Sequence, residues 1–277
     1  MKRGGVLRGT FLCFMVAFYT LASSRVGFSA SGLVPSDQTA AMLRAKGVMI
    51  GYEDGSMRWE NTVTRAEAVK ILLAAIGEVA PSLGSAPMTF LDVSLSHWAF
   101  GHITMASEIG LVRGRPGKIF DPDQGVTMAE FMVMVSRVFA GLGGEAGAAD
   151  PRVRIQPLWA APEIVGWPDL VELVIEESNS VNLDYPASRG EVGVLTASMM
   201  ERIGLAYDLT GVAERMSDDG TKLFLRVDGG VASIQVSLSS KVSWFAGGAA
   251  SNSQSLMGRK VRVVLDTSGR ASVIVGL

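Results

Sequence analysis

The sequence predicts an α+β multidomain protein, in which an α-helical bundle of three repeats precedes a small all-β barrel or sandwich domain. A short helix-capping pattern recurs at a near-constant period through the first 205 residues, and after Leu205 the apolar residues change from helical spacing to alternation. With 277 residues, 48% of them hydrophobic, the chain is long enough to bury a core in each part. The predicted repeats span residues 31–80, 88–141 and 155–205, and the predicted β domain spans 207–277.

Residues 1–30 have the pattern of a signal peptide. Lys2, Arg3 and Arg8 form a basic segment ahead of the uncharged apolar stretch 11–22, which is short for a membrane-spanning helix. Beyond residue 30 the chain has 21 basic and 27 acidic side chains, so we expect neither nucleic acid nor an anionic membrane surface as a partner. Its only cysteine lies within the first 30 residues, which excludes a disulfide framework from the remainder.

Three helix starts carry the same capping pattern. Residues 64–67 (TRAE), 127–130 (TMAE) and 188–191 (SRGE) each place a hydroxyl residue three positions before a glutamate. In such a capping box the hydroxyl accepts from the N3 backbone N–H, and the glutamate accepts from the N-cap N–H. The intervals of 63 and 61 residues indicate an internal repeat.

The segments ahead of the first two caps also match each other. Residues 47–55 and 110–120 both begin with a glycine suited to ending a helix, continue through a glycine-rich turn, and lead to the next cap. Before the second of these segments, residues 90–93 (FLDV) precede His97, Trp98 and a helically spaced apolar run. Each unit is therefore predicted as helix, glycine loop and helix.

This combination resembles the S-layer homology family, whose units run Phe-x-Asp-Val, Trp-Ala, a glycine-rich loop and Thr-Arg-Ala-Glu. Residues 88–140 carry nearly all of the pattern, residues 40–78 carry its second half, and residues 158–204 form a degenerate third copy with Trp167 as its tryptophan. The copies depart from the pattern in three ways. Pro35 stands at the tryptophan position of the first, Met128 replaces the arginine of the second, and the third is eight residues shorter between tryptophan and glutamate and lacks the glycine loop.

The segments 80–87 and 141–157 are predicted as linkers because they are rich in Pro, Gly, Ala and Ser. After Leu205 we predict six short strands separated by Gly-containing turns. They span 209–216, 221–227, 231–238, 241–245, 260–265 and 271–275. Six strands in about 70 residues indicate a small closed barrel or a sandwich.

The resemblance implies that the arginine after each cap faces a groove between units and binds an acidic wall polysaccharide. Arg65 and Arg189 occupy this position. A guanidinium matches a carboxylate bidentately, and at the positive end of a helix dipole it needs a compensating anion. The alternative is a salt bridge to an aspartate of the neighbouring unit. Met128 cannot bind an anion, so we expect the groove of the second unit to be weakened or lost.

The resemblance also implies that Trp98, Asp92, Tyr52 and Asp54 line these grooves. Each has a structural alternative. Trp98 is more simply explained as core, and Asp92 as a cap for a helix starting near 94–96. The glycines around Tyr52 and Asp54 chiefly permit a turn.

Enzyme-like patterns are not completed by this sequence. Residues 121–132 lack the final glutamate of a calcium loop, His97 and His102 are not at the HExxH spacing, and there is no Gly-x-Ser-x-Gly. We therefore predict no catalytic site, no cofactor and no metal.

We expect a non-catalytic, secreted cell-envelope protein that is anchored non-covalently to wall polysaccharide or a peptidoglycan-linked glycan. Its location could be the cell surface, an S-layer or the periplasm, with no membrane span after signal cleavage. Several grooves would share the binding, so that loss of one arginine weakens it without abolishing it. One alternative is an envelope assembly protein whose degenerate repeats and β domain contact other proteins. The other alternative is a glycan-active enzyme that carries an anchor. It is disfavoured because only about 70 residues follow the repeats, too few for a catalytic domain.

Overall fold

The computed structural model describes residues 33–80, 89–142, 146–148, 153–168, 171 and 180–277. The predicted signal peptide, most of the first linker and residues 172–179 lie outside these ranges, and the domain boundaries remain predictions. The helices are α1 (Asp37–Ala45), α2 (Arg65–Ala75), α3 (Phe100–Glu108), α4 (Met128–Gly141), α5 (Ala161–Ile164), α6 (Arg189–Arg202) and α7 (Ser253–Leu256). The strands are β1 (Arg154–Gln156), β2 (Ser180–Asn182), β3 (Leu209–Met216), β4 (Lys222–Val227), β5 (Ile234–Ala246), β6 (Ala249–Ala250), β7 (Lys260–Leu265) and β8 (Ala271–Gly276).

Capping boxes start α2, α4 and α6, as the sequence predicts. At α2, Thr64 Oγ1 accepts from the Glu67 N–H at 3.2 Å while Glu67 Oε2 accepts from the Thr64 N–H at 2.9 Å. The other two helices repeat this reciprocal pair. Two donors of each helix start are thereby satisfied within the cap itself.

The residues just before the three caps join in a closed ring of backbone hydrogen bonds. The Val63 N–H donates to the Ala187 carbonyl at 3.1 Å, the Ala187 N–H donates to the Val126 carbonyl at 2.9 Å, and the Val126 N–H donates to the Val63 carbonyl at 2.8 Å. All three side chains are fully buried. The starts of the three capped helices therefore lie close together around this ring.

The start of each capped helix also docks on the loop that precedes the cap of another unit. Because the first N–H groups of a helix have no partner within it, they donate to loop carbonyls of the neighbour. The bonds run from Arg65 to Gln124 (2.8 Å), from Ala66 to Pro122 (3.0 Å), from Met128 to Tyr185 (2.9 Å), from Ala129 to Leu183 (3.0 Å), from Arg189 to Asn61 (2.7 Å) and from Gly190 to Trp59 (2.8 Å). The arrangement passes from the first unit to the second, the second to the third, and the third back to the first.

The capped segment at 188–191 keeps the register of the second unit more closely than the sequence analysis predicts. Trp159 lies 32 residues before Glu191, as Trp98 lies 32 residues before Glu130, and their exposed fractions are 56% and 54%. Trp167 instead stacks on Phe139, with ring centroids 4.9 Å apart. Assigning Trp167 to the tryptophan position was therefore wrong, and the apparent deletion of eight residues disappears. The predicted absence of the glycine loop falls on 172–179, outside the described residues.

Strands occur earlier in the chain than we predict. Strand β1 lies in the segment 141–157 that is predicted as a linker, and it pairs in parallel with β2, Ile155 opposite Val181. Both of these side chains are buried. This short pair joins the segment after α4 to the strand leading to the third cap.

The C-terminal strands form a barrel-like sheet in the order β4-β3-β7-β8-β5, which a pairing of β4 with β5 closes, and β6 extends β5 at one edge. Strands β5 and β8 run parallel, and the other pairs are antiparallel. The two predicted strands 231–238 and 241–245 are one strand, β5, because the pairing continues through a register shift between Leu238 and Ser243. The other four predicted strands are present within one residue of their expected bounds.

The barrel packs on the first unit. Helix α1 contacts β6, β7 and β8, and Phe245, Val264, Val273 and Val275 join the same buried cluster as the helical residues. At the edge of this contact, Lys46 Nζ lies 2.6 Å from Asp208 Oδ1. The coarse prediction of helices followed by a barrel-like β domain is confirmed.

Candidate functional site

Arg65 is buried between α2 and the loop of the second unit. Only 3% of the residue is exposed. Its Nε donates to the Phe120 carbonyl at 2.8 Å, its Nη1 lies 2.7 Å from Glu130 Oε1, and its guanidinium carbon lies 4.8 Å from the centre of the Phe120 ring. The anion that the helix start requires is thus supplied by the capping glutamate of the neighbouring unit, where the sequence suggested an aspartate.

A second arginine, Arg115, pairs with the same glutamate as Arg65. Its Nη2 lies 3.1 Å from Glu130 Oε1, its Nη1 donates to Gln124 Oε1 at 2.6 Å, and it also pairs with Asp121. The Glu130 carboxylate therefore serves two arginines and its own helix cap. The guanidinium of Arg65 has its partners within the protein, so this groove presents little unpaired charge to a ligand.

Asp92 holds the backbone of the loop that contains Phe120 and Asp121. Its Oδ1 accepts from the Phe120 N–H at 2.8 Å and its Oδ2 accepts from the Asp121 N–H at 2.7 Å. Partial burial acts to raise the pKa of Asp92, but these backbone donors outweigh it and lower the pKa. The helix-cap interpretation of Asp92 was wrong, since α3 begins at Phe100 without a side-chain cap.

Trp98 lies on the surface, and its core interpretation was wrong. The residue is 54% exposed, and the ring stacks with His97 at a centroid distance of 5.7 Å and approaches His102 at 6.3 Å. Burial, and then Lys70, lower the pKa of His102. An exposed indole flanked by imidazoles offers a flat apolar face to a ligand such as a sugar ring.

Arg189 is the counterpart of Arg65 at the start of α6, but its partners differ. Its Nε donates to the Met57 carbonyl at 3.1 Å, as Arg65 donates to Phe120. Its guanidinium carbon lies 5.2 Å from the centre of the Tyr52 ring. Among the described residues no carboxylate forms an ion pair with it, and 9% of the residue remains exposed. Within the described part of the chain, the positive charge of Arg189 therefore has no carboxylate to neutralise it.

Tyr52 and Asp54 belong to the loop that faces Arg189. The Arg58 guanidinium carbon lies 4.0 Å above the Tyr52 ring, and Arg58 Nη2 lies 3.0 Å from Asp54 Oδ2. Asp54 accepts from the Ser56 hydroxyl and N–H at 2.6 and 2.9 Å; these bonds, followed by Arg58, lower the pKa of Asp54 to about 2. The loop borders an open depression of about 730 Å³, lined by Gly51, Tyr52, Glu53, Asp54 and Arg58.

We call the cluster of Arg189, Tyr52, Asp54 and Arg58 the Arg189 groove; its last three members line the depression, and Arg189 lies behind them against the Tyr52 ring. The cluster of Arg65, Arg115, Asp121 and Glu130 is called the Arg65 groove. The structure divides the predicted site residues between the two, with Asp92 beside the Arg65 groove and Trp98 on the surface of the second unit. Sequence reasoning missed Arg58, Arg115 and the second role of Glu130. The 63-residue offset was the available signal, because it aligns Tyr52 with Arg115 and Arg58 with Asp121.

The third copy of the cap contains glycine where the first two contain alanine, and the fold explains this. A Cβ on Gly190 would lie 2.0 Å from the Leu33 carbonyl oxygen and 3.4 Å from that of Trp59. The backbone of residue 33 thus passes directly over the start of α6. Gly190 permits this close approach.

The described part of the chain holds no group of three or more His, Cys, Asp or Glu side chains arranged to bind a metal ion. Within the same residues, no helix combines the length and the apolar character needed to cross a bilayer.

Comparison with known proteins identifies the two N-terminal units. The S-layer homology domain matches residues 39–69 and 89–132. These segments contain the loop of Tyr52, the caps of α2 and α4, and the Asp92 and Trp98 positions.

Three similar proteins illustrate where this domain occurs. Cell surface glycoprotein 1 of Acetivibrio thermocellus is 36% identical over 95 residues, which cover 34% of this chain and 4% of that protein. The middle cell wall protein of Brevibacillus brevis is 27% identical over 187 residues, which cover 62% and 16%. The cellulosome-anchoring protein of A. thermocellus is 33% identical over 114 residues, which cover 40% and 26%. The match thus spans about a quarter or less of each relative.

Proposed function

We propose that this protein is a non-catalytic component of a bacterial cell envelope that binds a wall polysaccharide or a peptidoglycan-linked glycan, because residues 39–69 and 89–132 match the S-layer homology domain. The relatives support the location, because they are by name cell-surface, cell-wall and anchoring proteins. The third capped segment, 188–202, acts in this proposal as a degenerate copy of the same unit.

The observation that carries the proposal is the guanidinium of Arg189 beside the Tyr52 ring, for which the described residues provide no carboxylate. A guanidinium without a protein carboxylate is suited to a carboxylate or phosphate of a glycan, and the exposed face of Trp98 is suited to the apolar face of a sugar. We assign the Arg65 guanidinium to positioning, because Glu130 and the Phe120 carbonyl already occupy it. Binding then depends chiefly on one groove, with Trp98 as a separate contact.

Co-sedimentation with isolated wall sacculi tests this. The purified protein is mixed with sacculi before and after chemical removal of the wall-linked polymer, and the pelleted fraction is measured. We expect polymer-dependent pelleting that Arg189→Gln reduces at least tenfold in apparent affinity. Arg65→Gln is the matched control, since it removes the same residue type from the same helix position and should leave binding by the folded fraction within about twofold.

A second candidate is protein assembly, in which the degenerate grooves and the barrel contact other envelope proteins. Two observations favour it. Met128 replaces the arginine at the start of α4, and Arg65 is already paired with Glu130. Absence of pelleting in both sacculus preparations would refute glycan anchoring and favour this candidate. Pelleting that persists after polymer removal would also refute the polymer as the ligand.

A further inference from the structure

The loops of the first two units hold the same pair of positions with different chemistry. At an offset of 63 residues, Tyr52 and Arg58 correspond to Arg115 and Asp121. In the first loop the pair is a cation over an aromatic ring at 4.0 Å, and in the second it is an ion pair. We call these two residues the cross-loop pair.

The second member of the cross-loop pair has the same backbone conformation in both loops although the side chains differ. Arg58 and Asp121 both have left-handed φ values, +46° and +57°, which are uncommon for residues other than glycine. Met57 and Phe120, which precede them, both offer a carbonyl to the arginine of the docking helix. The loops therefore agree at Arg58 and Asp121 but differ just before the first member of the pair, where Gly51 has a φ of +82° and the equivalent Gly114 has no positive φ.

The chemistry of the pair changes the charge around the docking arginine. In the Arg65 groove, Asp121 and Glu130 pair with Arg115, and Glu130 also pairs with Arg65. In the Arg189 groove, Tyr52 contributes no charge. Among the described residues, Asp54 is the carboxylate that pairs with Arg58. The Arg58 side chain is 45% exposed and Asp54 is 53% exposed, so both can rearrange around a ligand without unpacking the core.

We propose that the cross-loop pair decides which groove accepts an anionic sugar, so that Tyr52 and Arg58 make the Arg189 groove the binding site and Arg115 and Asp121 close the other. This inference rests on the proposed glycan-anchoring function. Arg58 supplies a second guanidinium for the ligand, and the Tyr52 ring holds both guanidinium groups, that of Arg58 at 4.0 Å and that of Arg189 at 5.2 Å from its centre. The ligand chemistry is an anionic glycan, whose charge is a carboxylate or a phosphate.

Transplanting the second loop's pair into the first tests the proposal. The variant Tyr52→Arg/Arg58→Asp carries the side chains that the second loop holds at these positions, and Asp121 shows that an aspartate accepts the left-handed φ of position 58. Binding of polymer released from the sacculi, measured by calorimetry with the full-length protein, should weaken at least tenfold. Arg226→Gln is the matched control, since it also removes an exposed arginine paired with one carboxylate, and it should leave the affinity unchanged.

The outcomes separate the two proposals. If the wild-type protein does not bind the polymer, the proposed function fails. If the wild type binds and the transplanted variant binds equally well, the cross-loop pair does not determine binding and this inference is overturned. Should the double variant not fold, Arg58→Gln replaces it, with an expected loss of at least fivefold and the same refuting outcome.

The source of the ligand charge is resolved in the same titration. One polymer sample has its carboxylates reduced to alcohols, and another has its phosphate groups removed. The sample that loses binding to the wild-type protein identifies the group. Unchanged binding to both samples would overturn the assignment of an anionic ligand to Arg58.

Discussion

Arg65 of α2 and Glu130 of α4 meet at 2.7 Å, although each belongs to the start of a different capped helix. The glutamate uses Oε2 to cap its own helix and Oε1 to neutralise the arginine of the neighbour. One carboxylate thus joins a local motif to the packing of two units. Because Arg65 is almost fully buried, loss of the partner would leave an uncompensated charge in the interior.

Glu130→Gln is therefore expected to destabilise the protein by about 3 kcal/mol in urea-induced unfolding. Glutamine at N3 preserves the cap, so the loss reports the arginine contacts. Glu67→Gln is the control because Glu67 makes the same capping bonds and has no arginine against it among the described residues. Equal effects of the two substitutions would contradict the assignment.

Gly190→Ala is expected to destabilise the protein by about 2 kcal/mol, because the new Cβ would overlap the Leu33 carbonyl. Backbone atoms cannot move away as a flexible side chain can. Gly141→Ala makes the same change near the end of α4, where nothing lies within 4 Å, and should be neutral or stabilising. Thermal unfolding of both variants measures the difference, and a neutral Gly190→Ala would mean that the segment at residue 33 does not pack there.

The two tryptophans of the third segment should respond differently to truncation. Trp167→Ala removes a ring stacked on Phe139 and is expected to cost about 3 kcal/mol. Trp159→Ala removes an exposed ring and should cost no more than about 0.5 kcal/mol. Denaturant unfolding provides both values. The reverse order would restore Trp167 to the position equivalent to Trp98.

Stability should fall in acid partly through Glu163. Arg137 Nε and Nη2 lie 2.6 and 2.7 Å from its carboxylate, and this hydrogen bonding lowers the pKa of Glu163 below its ordinary value of 4.5. A carboxyl whose pKa is lower in the folded state stabilises the fold above its unfolded pKa, and that contribution is lost as the pH falls through the folded pKa.

Glu163→Gln should therefore reduce the loss of stability between about pH 5 and pH 3, by no more than about 1 kcal/mol because the group is partly exposed. Urea unfolding at a series of pH values measures this slope. Glu108→Gln, an exposed substitution on α3, serves as the control. An unchanged slope in Glu163→Gln would show that the pair with Arg137 does not contribute.

Local features were the most accessible from the sequence. The capping boxes, the glycines that end helices and four of the strands depend on residues a few positions apart, and these were predicted with nearly correct bounds. The fusion of β5 was missed because Ser239 and Ser240 interrupt the apolar alternation, whereas pairing with two neighbouring strands carries the strand across them.

Long-range contacts explain the remaining differences. Asp92 was interpreted through its nearest helix, but its partners lie 28 and 29 residues away. Trp98 was assigned to the core because large aromatics are usually buried, yet the sequence gives no sign that its own unit leaves it uncovered. The difference between Arg65 and Arg189 depends on which loop each one meets, and that follows from the cyclic docking of the helices.

The ring formed by Val63, Val126 and Ala187 fixes the copy number of this architecture. In an open stack, a duplicated unit adds to one end and a deleted unit shortens the array. Here every N–H and carbonyl of the ring already has its partner, so a fourth segment would find no place and the deletion of one would leave a buried donor and acceptor unpaired. Insertion or removal of a whole capped segment would therefore break the ring, whereas substitutions confined to the loops would leave it intact.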